Sequence, residues 1–132
     1  MASGVTVAEL LAAFAAAITS AFDGSGWAVW PQPPDQTAVP AVWPQFAGGS
    51  RAGARATGAP TSITAVAAIA AQTAVAENAA IADAVDRLDA IPAGRLGVAI
   101  TGASWVVAEI EIGQIPHTAV LYQFTLDRPL PC

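Results

Sequence analysis

Ser104-Trp105-Val106-Val107-Ala108-Glu109-Ile110-Glu111-Ile112 and Thr118-Ala119-Val120-Leu121-Tyr122-Gln123-Phe124-Thr125-Leu126 are the two stretches that decide the class of this fold. In the first, Val106, Ala108, Ile110 and Ile112 fall on alternate positions, and in the second Val120, Tyr122, Phe124 and Leu126 do the same. Side chains alternate between the two faces of a strand, so each stretch reads as a β-strand. Gly113-Gln114-Ile115-Pro116 lies between them and supplies the turn, with His117 directly after it. The pair is expected to form a C-terminal antiparallel hairpin, one face buried and the other partly wet. Leu96 to Thr101 reads as a separate extended segment before it, and the tail from Pro129 as leaving the domain.

Working backwards, Ile81, Val85 and Leu88 make an i, i+4, i+7 stripe, predicting a helix over about 73–90 that Pro92 and Gly94 stop. The stretch before it is mixed: alanines favour helix, but Thr61, Ile63, Thr64, Val66 and Ile69 are β-branched, and a strand over 61–70 is the better reading. At the N-terminus Thr6-Val7-Ala8-Glu9 fits a capping box, followed by Leu10, Leu11, Phe14, Ile18 and Phe22 at helical spacing. A first helix over 6–22 follows, closed by Gly24 in a left-handed conformation.

Between these elements Val29-Trp30-Pro31-Gln32 recurs as Val42-Trp43-Pro44-Gln45. A residue before proline is pushed toward extended geometry, and proline cannot donate to a ladder, so both copies read as edge strands or strand ends. The glycine- and arginine-bearing stretch at 47–59 reads as a flexible loop carrying Arg51 and Arg55. The class that results is α+β: a small, mostly antiparallel sheet flanked by two helices, with a C-terminal β-hairpin. Residues 1–128 form one domain and 129–132 a Pro-containing tail.

Composition limits function more sharply than it limits fold. The 132 residues suffice for one domain, but 33 are alanine, so the core is smaller than the 55% hydrophobic content suggests. Charged residues make up 11%, against about 25% in an ordinary soluble domain. So thin a polar cover predicts self-association. A net charge of −5 argues against wrapping nucleic acid. The N-terminus lacks a basic segment and Glu9 interrupts its apolar run, so no secretion signal is expected. The apolar run from Ile63 to Ala82 is too rich in Ala and Thr, and too broken by Gln72, Glu77 and Asn78, to read as a membrane span. Cys132 is the single cysteine, which excludes an internal disulfide and fits a reducing compartment.

Catalytic material is scarce. The chain has no lysine and one histidine, His117, with no second His or Cys to complete a metal site. No serine sits in a nucleophile elbow and no phosphate-binding glycine motif is present. No enzyme activity, cofactor or metal is expected. Asp83, Asp86 and Asp89 recur along the second helix, with Arg87 four residues after Asp83. They read as a solvated face, or, in a ring, as an acidic channel lining that repels DNA phosphate. Glu109 and Glu111 share one side of their strand, with Arg51, Arg55 and Arg128 as possible partners. Trp27, Trp30 and Trp43, with Pro44 and Phe46, read either as an interface, because aromatics bury large area with few rotors, or as a satellite core beneath the first helix.

The order helix, Pro-punctuated strand pair, loop, strand, helix, hairpin resembles the tail terminator proteins of long-tailed bacteriophages, and more broadly the small ring-forming proteins of the head–tail junction. The residues that carry the resemblance are Pro40-Ala41-Val42-Trp43-Pro44, the helix from Ile81 to Ala90 and the strand Val120-Leu121-Tyr122-Gln123-Phe124. It implies a virion structural protein, assembled in the host cytoplasm, whose homohexameric ring caps the tail tube and joins it to the head connector. Its partners would be further copies of itself, the tail tube protein and connector proteins, with DNA passing through unbound and no membrane. Trp27, Trp30, Trp43, Pro44, Phe46, Arg51 and Arg55 would then lie at subunit or ring contacts, and Asp83, Asp86 and Asp89 would face the channel. A stopper, an adaptor or a tail tube subunit remains open, as does a small binding module that grips a ligand through its Trp/Pro surface.

Overall fold

The computed structural model describes residues 5–30, 40–49, 58–69, 73–92, 96 and 98–129. Helix α1 spans Val7–Ala21. Its capping box is formed on both sides, Glu9 N donating to Thr6 Oγ1 at 3.1 Å and Thr6 N to Glu9 Oε1 at 3.3 Å. Gly24, with φ of 71°, turns the chain after it. Strands β1 (Ala28–Val29), β2 (Ala41–Gly49) and β3 (Gly58–Ile69) follow, then helix α2 (Ala74–Asp89), β4 (Ala99–Ile112) and β5 (Ile115–Pro129). Strand β3 settles the mixed stretch in favour of its β-branched residues. Strands β2 and β3 reach into both ends of the stretch read as a loop, and residues 50–57 lie outside the described residues.

The sheet order is β1-β2-β3-β5-β4, with β1 parallel to β2 and every other pair antiparallel. The α+β expectation therefore holds. Both helices pack on one face. Leu10, Phe14 and Ile18 of α1 and Leu88 of α2 join Ile63, Val120, Phe124 and Leu126 in the main core, where Phe14 meets Phe124 edge-on at 5.1 Å.

The hairpin departs from expectation in three ways. The extended segment before it and its first strand are one 14-residue strand, β4, with an irregularity between Ile100 and Gly102. The turn is two residues long, Gly113 and Gln114, both at positive φ, as the commonest tight hairpin turn requires. His117 consequently lies inside β5 opposite Ile110 and not in a turn. The third departure follows from the second. A two-residue turn sets Val106 opposite Leu121 and Val107 opposite Val120. The alternating residues of the two strands therefore occupy opposite faces of the sheet: Val120, Tyr122, Phe124 and Leu126 face the helices, whereas Val106, Ala108, Ile110 and Ile112 do not.

Apolar residues thus line both faces. On the second face Ala41, Trp43, Val66, Ala68, Ala119 and Ile112 form a smaller cluster drawn wholly from strands.

Candidate assembly surface

Helix α2 makes its closest approaches over β3 and β5, and α1 over β2. Strand β4 therefore extends past the helical layer as the outermost strand. Ala103 to Val107 are exposed in unbroken succession, Trp105 at 47%, Val106 at 58% and Val107 at 46%. Consecutive strand residues point to opposite faces, so this stretch is largely apolar above and below an open backbone edge. Native sheets usually shield an outer strand with lysine, proline or a short length. At 14 residues β4 far exceeds the common length of about 5–6, and the whole chain has no lysine. Its only charges are Glu109 and Glu111, near the turn.

The opposite edge is built differently. Ala28 N donates to Pro40 O at 3.0 Å and Trp30 N to Val42 O at 2.9 Å, so β1 covers the start of β2. Even-numbered β2 residues turn their backbone groups outward here, and the next of these is Pro44, which has no N–H to leave unpaired. A register shift between Phe46 and Gly48 bends the strand beyond it. Proline is tolerated inside β2 because the group it lacks would have faced away from the sheet.

The residues singled out from sequence distribute unevenly. Trp43 is 4% exposed and Pro44 is buried, both within the subunit. Trp27 is half-buried and meets Phe22 edge-on at 5.4 Å, beneath the end of α1. Trp30 and Phe46 are exposed on the β1–β2 side. Arg51 and Arg55 lie outside the described residues.

The Trp43 indole N–H is buried without a hydrogen-bond partner among the described residues. An orphaned donor costs about 1–3 kcal/mol, whereas removing an indole's 150–250 Å² from water returns about 4–6 kcal/mol. Packing wins. The ring borders a groove of ≈ 390 Å³ that also touches Val66, Ile110, Ile112 and Leu121.

The three aspartates are held in different ways. Asp83 accepts from Arg87 Nε at 3.0 Å, and Arg87 Nη1 donates to Ala21 O at 3.0 Å, joining α2 to the last turn of α1. Asp86 borders a groove of ≈ 580 Å³ between the helices, beside Ser20 and Ala90. Asp89 accepts the Tyr122 hydroxyl, fastening the end of α2 to β5. Burial, then that hydrogen bond, then the carboxylate's charge push the Tyr122 pKa up to about 12. Arg128 donates to Val5 O at 2.9 Å and Thr61 Oγ1 at 3.4 Å, tying the chain ahead of α1 to β3. Among the described residues no three His, Cys, Asp or Glu side chains group as a metal site, and no helix is long and apolar enough to cross a membrane.

Sequence reading missed the β4 edge. The signal was Trp105-Val106-Val107, three apolar residues in a row within a stretch scored for alternation. Comparison with known proteins adds no identification: no protein-family model and no curated protein matches the chain.

Proposed function

We propose that the chain is a structural assembly subunit, a tail-terminator-like component of a bacteriophage head–tail junction that works as a homo-oligomeric ring, six subunits being the expected number. The observation that carries this reading is the uncovered strand β4, whose exposed Trp105, Val106 and Val107 form an apolar edge that a lone subunit leaves in water. The element order resembling tail terminators supplies the biological setting. In this reading chemistry plays no part, and the work is geometric: closure of a ring that ends the tail tube and offers a surface to the connector.

Imaging the purified protein by negative stain, with mass from light scattering across a concentration series, tests it. Closed rings near six subunit masses are expected. A strict monomer at every concentration would contradict self-assembly, and open tubes would replace the terminator with a tail tube subunit.

A further inference from the structure

We infer that β4 pairs with β4 of a second copy, antiparallel about a two-fold axis at Trp105, joining two five-stranded sheets into one. This rests on the self-assembly reading above and names the contact. In a two-residue hairpin the closing pair, here Ile112 and Ile115, exchanges both backbone hydrogen bonds, so every second residue back along the strand also bonds inward. Ile110, Ala108, Val106 and Ser104 are the inward set. Ala103, Trp105, Val107 and Glu109 therefore turn their N–H and C=O groups to the open edge.

Three observations select a second β4 as the occupant. First, the other edge of the sheet is a poor partner, since β1 covers its start, Pro44 lacks a donor at an outward position and the register shift after Phe46 bends it. Second, the exposed run Ala103–Val107 is centred on Trp105 and complements itself: an antiparallel match sets Trp105 against the second copy's Trp105, and Val107 against its Ala103. Third, the charges agree. The same match sets Glu109 toward the second copy's Thr101, whereas a parallel match would place like carboxylates side by side. A dyad contact closes at two copies, so six subunits would be three such pairs, held to one another by a different surface.

The test is the mass of wild type, Val107→Pro, Val107→Thr and Trp105→Lys, with helix content by circular dichroism to confirm folding. Val107→Pro deletes an outward N–H and leaves the β4–β5 ladder its inward bonds. Association should weaken about 10- to 100-fold, because the dyad removes the bond twice. Trp105→Lys sets two ammonium groups against each other without touching the backbone and should also split the pair. Val107→Thr should associate as wild type does. An oligomer that keeps its mass in both Val107→Pro and Trp105→Lys would overturn the β4 contact and leave self-assembly standing. A monomeric wild type would overturn both, including the case where β4 accepts a strand only from a different protein.

Discussion

The two edges of this sheet are made of similarly apolar material and treated in opposite ways. At the β2 edge a large aromatic, Trp43, turns inward to 4% exposure, a short parallel strand covers the start, and Pro44 occupies the next position where a donor would stand free. At the β4 edge Trp105 stands half exposed ahead of two valines, with no strand on its outer side among the described residues. Hydrophobicity alone does not distinguish them. The difference lies in what the backbone offers: one edge is finished within the subunit, and the other is left open for the assembly proposed above. Disturbing the first should unfold the subunit, and disturbing the second should take the oligomer apart.

The largest expected effect is at the closed edge. Trp43→Ala should cost about 3–5 kcal/mol of unfolding free energy, read from urea denaturation, because a buried indole leaves a cavity that strands on either side cannot collapse to fill. A loss below about 1 kcal/mol would mean that the strand-only cluster adds little, and the contrast between the edges would weaken.

Tyr122→Phe probes the tie between sheet and helix and should cost about 1 kcal/mol at neutral pH, the net worth of one hydrogen bond. Its pH dependence is more telling. The folded-state pKa of Tyr122 is raised from 10.0 to about 12, so its contribution is full below pH 10 and is lost as the pH climbs from 10 toward 12. Wild type should lose stability across that window more steeply than Tyr122→Phe. Parallel curves for the two proteins would show that the Asp89 contact carries no linkage.

The smallest effect on the subunit is expected at the open edge. Trp105→Ala should change unfolding free energy by less than about 0.5 kcal/mol when measured at dilution, where few subunits are paired. The same substitution should lower the oligomer fraction at high concentration. Equal loss in both measurements would make Trp105 a core residue and end the distinction.

Sequence carried the local features and lost the non-local ones. The capping box of Thr6 and Glu9, the Ile81, Val85 and Leu88 stripe of α2 and the β-branched residues of β3 were legible because each depends on neighbours within a few positions. Strand order was not, since nothing in Trp105-Val106-Val107 says which strand lies beside it. Which residues share a face hung on whether an even or an odd number of residues joined the strands, and one residue of register exchanges the faces of a strand. Ending one strand at Ile112 and starting the next at Thr118 left five residues between them, His117 included, and so put both apolar stripes on one side, where the structure places them on two. Of the aromatics read together from sequence, Trp30 and Phe46 are exposed and Trp43 is buried, and the exposed Trp105 was not singled out.

Amide hydrogen exchange along β4, at a concentration where the protein is oligomeric, tests the open edge most directly. Outward amides at Ala103, Trp105 and Val107 should be protected to within about tenfold of the inward amides at Ser104, Val106 and Ala108. Fast, solvent-like exchange confined to the outward set, in an oligomer of unchanged mass, would show that β4 stays uncovered and that the subunits meet elsewhere.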